Sequence, residues 1–200
     1  MRVCPVILAG GRSRRMGKDK ALLKLPGGQT LLQRAHALLN ELDAPPGVQM
    51  LPPLVSGDRP GGIADRVCGR GPLGGLHAVA EHLAAEGVDC DALLVIPVDM
   101  PLLQREILRQ LCAAGAGGAA SALCFGACYL PLWLRLDPRS RRYLQEFMAG
   151  GEGGAVRSLL QALGGRQLQA PDGDWHTNVN RPPEFQAVCA AARQLQLEKT

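Results

Sequence analysis

Residues 3–20 read VCPVILAGGRSRRMGKDK, and the change of character at Gly10 decides what fold to expect. Val3–Ala9 is short, apolar, rich in β-branched side chains and bounded by glycine, which predicts a buried strand. Five cations follow within nine residues, Arg12, Arg14, Arg15, Lys18 and Lys20, against a single carboxylate, Asp19. Glycine lets backbone approach a ligand with no Cβ in the way. In an open α/β sheet, ligands bind beyond the carboxyl ends of the strands. A strand ending in Gly10-Gly11 and running into clustered cations is therefore expected to meet a polyanion. Backbone N–H groups and the nearby charges would cradle its phosphate oxygens. Neither common phosphate loop is present: there is no Gly-x4-Gly-Lys-Ser/Thr, and the stretch lacks Gly-x-Gly-x-x-Gly.

Outward from this stretch, strands and helices alternate. Thr30–Leu42 has helical apolar spacing with Thr30 as N-cap. Residues 44–62 are rich in Pro and Gly, with a weak strand near Met50–Val55. Pro72–Gly87 predicts a helix, Asp91–Val98 a second buried strand, and Gln104–Ala114 another helix. Residues 119–134 predict one or two strands. Helices are expected over Pro138–Met148, Val156–Leu163 and Pro182–Leu197, the last opened by prolines whose missing N–H groups cost nothing there. The glycine-rich stretches 115–118 and 150–154 read as turns. The alternation through the first 115 residues predicts an α/β fold with a doubly wound, mostly parallel sheet flanked by helices.

Three further stretches carry candidate chemistry. In VIPVDMP (95–101), Asp99 ends a buried strand and so falls on the same sheet edge as Gly10–Lys20. Alone it suits a turn before Pro101 equally well. Facing a phosphate loop, it suits Mg²⁺ bridging phosphate oxygens. In ADRVCGRGPLGGL (64–76), Asp65 and the Gly71–Gly75 turn could line a nucleotide pocket, although Gly-Pro before a helix is common. In HTNVNRPPEF (176–185), Asn178 and Asn180 alternate on an extended stretch and share a face. Such amides read heterocycle edges or phosphates, or simply form turns before Pro.

Composition narrows the function classes. The chain has 200 residues, 46% hydrophobic and 20% charged, which suits one globular domain with a substantial core. Its 4% aromatic content argues against nucleic-acid binding by base stacking. The net charge of +4 is modest, but residues 12–24 hold six of the 22 Lys and Arg. That is the asymmetry of a local anion site rather than of a DNA-coating surface. Seven cysteines without a C-x-x-C motif read as buried thiols in a reducing compartment. No apolar run reaches the roughly 18 residues of a membrane span, so a cytoplasmic protein is expected. His36, His77, His82 and His176 show no metal-ligand spacing and read as structural or exposed. No Gly-x-Ser-x-Gly nucleophile pattern occurs.

The opening stretch resembles the signature of the molybdenum cofactor guanylyltransferase family, Leu-Ala-Gly-Gly-x-Ser-x-Arg-Met-Gly-x-x-Lys. Leu8, Ala9, Gly10, Gly11, Ser13, Arg15, Met16, Gly17 and Lys20 stand in register with it. The resemblance continues through Gly71-Pro72-Leu73-x-Gly75, Asp99 with Pro101, and Asn178-Val179-Asn180. It implies a Rossmann-like nucleotidyltransferase fold and transfer of GMP from GTP to molybdopterin, releasing pyrophosphate. It implies nucleotide binding by Leu8, Ala9, Gly10, Gly11, Lys20, Asp65 and Asp99. Arg15, Lys20 and Asp99 take the catalytic roles, with Asp99 as the Mg²⁺ ligand, and Asn178 and Asn180 fall on the acceptor side. Residues 1–115 would form the nucleotide-binding half of a single domain and 116–200 the molybdopterin half. Product delivery implies contact with molybdoenzyme apoproteins or insertion chaperones, and neither nucleic acid nor membrane is implied. The family often carries His-Pro where this chain has Leu130-Pro131.

Three rivals stand beside this reading. One is the sugar-phosphate nucleotidyltransferases, which usually continue from the Arg to a Pro-Lys pair on a longer chain, whereas Lys20 here stands without that pair. A cytidylyltransferase branch resembles Leu-Ala-Ala-Gly at the loop and lacks the Gly-Pro-Leu turn. A non-catalytic carrier would bind nucleotide or cofactor without needing Arg15, Lys20 and Asp99 together.

Overall fold

Strand β1 (Arg2–Leu8) is buried throughout its centre, and the parallel part of the sheet is registered against it. The computed structural model describes residues 1–10, 19–67, 69–150 and 155–197. Strands β2 (Gln49–Met50), β3 (Leu54–Ser56) and β4 (Ala92–Pro97) all run parallel to β1. Strands β5 (Ala122–Phe125) and β6 (Cys128–Arg135) form a hairpin, and β6 inserts between β4 and β5, antiparallel to both. Strand β7 (Arg166–Leu168) pairs parallel with β5. The order is β2-β1-β4-β6-β5-β7, with β3 also on β1. The expected mostly parallel sheet is present, and among the described strands β6 alone is reversed.

The continuous apolar runs of β1 and β4 follow from burial on both faces. Side chains alternate across the sheet. Val3, Ile7, Leu94 and Ile96 enter one core, with helices α1 (Leu31–Asn40) and α3 (Arg105–Gly117). Cys4, Val6, Leu93 and Val95 enter the other, with α2 (Gly71–Ala85), α4 (Pro138–Met148) and α5 (Val156–Leu163). Helix α6 (Pro182–Leu197) ends the described chain. Thr30 caps α1 as expected. Its hydroxyl accepts from the Gln33 N–H while the Gln33 side chain accepts from the Thr30 N–H, a capping box.

Three expectations change. The single weak strand near Met50–Val55 is two strands, because Pro52 and Pro53 have no N–H to donate to the ladder. Strand β7 was not expected; it is short and largely exposed, so it carries no alternating apolar signal. The stretch 115–118 is not a turn: α3 runs through to Gly117. There the helix needs glycine for room. A Cβ on Gly115 would lie 2.2 Å from Cδ2 of Trp133, a fully buried indole. The expected turn at 150–154 lies mostly outside the described residues.

Gly115→Ala is accordingly expected to destabilise the protein. Overpacking costs about 1–3 kcal/mol, which outweighs the roughly 1 kcal/mol that alanine gains over glycine in a helix. Thermal unfolding should show Tm lowered by a few degrees; a Tm equal to or above the parent's would mean that Trp133 yields freely.

Candidate active site

Parallel pairing brings the chemistry to one edge. In the register of β1 and β4, Leu8 lies opposite Pro97, so Ala9-Gly10 and Val98-Asp99 leave the sheet side by side. Strand β3 exits there too, with Leu8 opposite Ser56. Because β6 is antiparallel to β4, with Val95 opposite Leu132, it is the start of β6 that reaches this edge, carrying Leu130. The chain returns to the edge after β7, where the Val179 N–H donates to the Asp99 carbonyl at 2.8 Å.

Between these segments lies a cleft of about 440 Å³. Leu8, Ala9, Gly10, Lys20, Asp99, Asn178 and Asn180 all line it. Val179 is buried between the two asparagines, so their shared face is the cleft face. Leu130 gives the cleft an apolar patch.

Among the described residues, three side chains meet at the polar centre. The Lys20 ammonium donates to Asp99 Oδ2 at 3.1 Å and to Asn180 Oδ1 at 2.6 Å. The Lys20 and Asp99 side chains are 17% and 20% exposed, enough shielding to strengthen their attraction while leaving the cleft open to a ligand. Lys20 opens a one-turn 3-10 helix, Lys20–Leu22, whose N-cap is Asp19. Asn180 is held from the far side by Glu184, whose Oε2 accepts from the N–H groups of Asn180 and Arg181 at 2.6 and 2.9 Å. Asn178 is exposed at the cleft and donates to the His176 carbonyl at 3.2 Å.

Asp65 is not among the residues lining this cleft. It sits against the first turn of α2, where a Cβ on Gly74 would be 3.3 Å from Asp65 Oδ2, and burial raises its pKa. Gly11 and Arg15, also expected at the site, lie outside the described residues.

Two contributors were missed. Arg59, after β3, bonds both the Ala9 carbonyl and Asp19. Only the pairing of β3 with β1 puts it at this edge, and that pairing has no local signal. Glu184 was legible: a glutamate three residues after Arg181, at the start of a proline-opened helix, stands where its side chain can reach back to the N-cap N–H, the glutamate half of a capping box.

The described cysteines offer no nucleophile here. Burial pushes the Cys4 thiol up to about 12, aided by Cys90, and Cys112 and Cys124 up to about 11. They are core thiols, as expected. Histidines are likewise absent from the cleft lining. Among the described residues no cluster of three His, Cys, Asp or Glu could hold a metal by itself. Among the described residues the cleft offers two carboxylates, Asp99 and Asp19, the latter already engaged by the Ala21 N–H and Arg59, and two amide oxygens. That set fits Mg²⁺, which keeps waters and shares one or two carboxylates with substrate phosphates.

Residues 5–169 match the family model described as the MobA-like NTP transferase domain. A molybdenum cofactor guanylyltransferase of Xanthomonas euvesicatoria pv. vesicatoria is 42% identical over 79% of this chain and 78% of its own. A probable molybdenum cofactor guanylyltransferase of Mycobacterium avium is 32% identical over 96% of this chain and 97% of its own. In structure, the molybdopterin-guanine dinucleotide biosynthesis protein A of Archaeoglobus fulgidus superimposes with a TM-score of 0.72, covering 97% of this chain and all of that one at 19% identity. At that identity the superposition speaks for the fold, and it is the nucleotidyltransferase fold. No helix of the described residues is long and apolar enough to cross a membrane. A matched domain over most of the chain, and relatives that share at least three quarters of their length with it, make this protein a member of the MobA-like NTP transferase family.

Proposed function

We propose that the protein transfers GMP from GTP to the terminal phosphate of molybdopterin, releasing pyrophosphate and forming molybdopterin guanine dinucleotide. The observation that supports this most directly is the junction of Lys20, Asp99 and Asn180 beside the bare backbone of Gly10, in a chain whose curated relatives are molybdenum cofactor guanylyltransferases.

The chemistry asks little of the side chains beyond position and charge. A phosphate oxygen of the acceptor attacks the α-phosphorus of GTP in line. The bond from that phosphorus to the bridging oxygen breaks, and its electron pair leaves with pyrophosphate. The nucleophile is already anionic, so no general base is required, which agrees with described cleft residues that include neither histidine nor thiol. Lys20 neutralises the triphosphate as charge builds toward the leaving group. Asp99, with the Asn180 amide oxygen beside it, would hold Mg²⁺, which when bound supplies positive charge to the phosphate oxygens. Gly10 lets the nucleotide approach backbone, and Asn178 and Asn180 orient the acceptor. Asp65 acts on the nucleotide from the loop packed against the first turn of α2, and Gly11 and Arg15 contribute from the basic stretch. Residues 1–115 serve the nucleotide and 116–200 the acceptor. Delivery of the product brings the protein to molybdoenzyme apoproteins or their insertion chaperones, in the cytoplasm.

Base choice tests the reading. Buried polar groups left unpaired by a wrong base cost about 1–3 kcal/mol each, so two or three mismatches give a large preference. Pyrophosphate release with molybdopterin and Mg²⁺ is expected to favour GTP over CTP and ATP by about a hundredfold in kcat/KM, roughly 2.7 kcal/mol. Equal use of CTP would make the protein a cytidylyltransferase, and binding without release would make it a carrier. Gly10→Ala should erode the preference and leave the fold intact. The added methyl would sit 3.7 Å from Gly57 Cα and 3.9 Å from the Ser56 carbonyl, ordinary contact distances. It would, however, stand where a purine must approach backbone. An unchanged preference would place base selection elsewhere.

A further inference from the structure

Arg59 has no assigned part in this site, yet it is tied to both of the described chain segments that border the basic stretch. Its Nη2 donates to the Ala9 carbonyl, at the end of β1, and its Nη1 donates to Asp19 Oδ2 at 3.3 Å. The other oxygen of Asp19 accepts from the Ala21 N–H at 3.0 Å and so caps the turn that carries Lys20. The Arg59 side chain is 12% exposed, and its position follows from β3 leaving the sheet beside β1. A chain of direct contacts thus runs from the strand end through Arg59 and Asp19 to the turn that presents Lys20 to Asp99. A planar guanidinium suits this because its fork of donors reaches two acceptors in fixed geometry.

We infer that Arg59 is a positioning residue: it fixes the Asp19-capped turn against the end of β1 and thereby sets where Lys20 meets the triphosphate. The inference rests on the triphosphate role proposed for Lys20. It differs from that role in that Arg59 itself touches no substrate. Removing Arg59 should let the turn shift, and a small displacement of a charged contact costs rate rather than ground-state binding.

The test is a double-mutant cycle in pyrophosphate release from GTP and molybdopterin, with amide hydrogen exchange alongside. Arg59→Ala is expected to lower kcat about tenfold with KM for GTP changed less than threefold. In a Lys20→Ala background the same change should cost less than twofold, because the contact that it positions is gone. Arg59→Lys, which keeps the charge but not the fork, should recover little. The Ala21 amide should exchange at least about tenfold faster in Arg59→Ala while β1 and β4 amides stay as in the parent. Equal losses in both backgrounds, full recovery by lysine, or unchanged Ala21 exchange would each overturn the inference. Should Arg59→Ala fail to fold, Arg59→Gln is measured in its place. If the parent itself releases no pyrophosphate, the triphosphate reading fails, and Ala21 exchange still decides whether Arg59 holds the turn.

Discussion

Asp99→Asn is expected to reduce pyrophosphate release at least about a thousandfold, roughly 4 kcal/mol of lost transition-state stabilisation, in a protein that still folds. The two expectations separate because the backbone and the side chain of residue 99 do different work. The backbone carbonyl accepts from the Val179 N–H at 2.8 Å, a bond that the substitution leaves alone. The side chain keeps its size, and its amide oxygen can still accept from Lys20. What disappears is the charge, and with it the carboxylate that would hold Mg²⁺ at the phosphates. Raising the Mg²⁺ concentration should restore little. The comparison that decides is turnover of the variant at ordinary Mg²⁺ beside its circular dichroism and Tm. Near-parental turnover would reduce Asp99 to a turn residue before Pro101.

Lys20→Ala is expected to cost a hundred- to a thousandfold, the range for deleting one preorganised contact to developing charge. The loss should fall mainly on kcat, since negative charge on the leaving pyrophosphate grows as the transition state is reached. Stability should fall by no more than about 1–3 kcal/mol, the cost of leaving largely buried acceptors without their donor, because both partners of the Lys20–Asp99 pair keep some solvent contact. Single-turnover kinetics with GTP and molybdopterin separate the two effects. Activity within twofold of the parent would show that the triphosphate is neutralised elsewhere. The variant also calibrates the Arg59 cycle, because it defines the background in which that arginine has nothing left to position.

Much of this molecule is written locally. The apolar runs that became β1 and β4, the Thr30 capping box, the prolines opening α4 and α6, and the period-two placement of Asn178 and Asn180 all depend on neighbours a few residues away. Propensity, capping and side-chain alternation act over that range, so a sequence alone determines them. The candidate loop and Asp99 were legible for the same reason: each sits at the end of a strand whose burial is plain from its composition, and strand ends are where open α/β sheets bind ligands.

Pairing across the sheet was decided only by tertiary structure. The reversal of β6 placed Leu130 in the cleft; a parallel strand there would have sent it to the opposite edge. The pairing of the three-residue β3 with β1 brought Arg59 beside Ala9 and Asp19, and nothing in its own residues announces that neighbour. Lys20 meets Asp99 across 79 residues and Asn180 across 160. Contacts of that span have no local signature, because they follow from which strand faces must be covered and which edge each strand then leaves. Sequence alone named most of the cleft's polar groups, while packing determined that lysine, aspartate and asparagine converge on one point and that Arg59 holds the turn presenting the lysine.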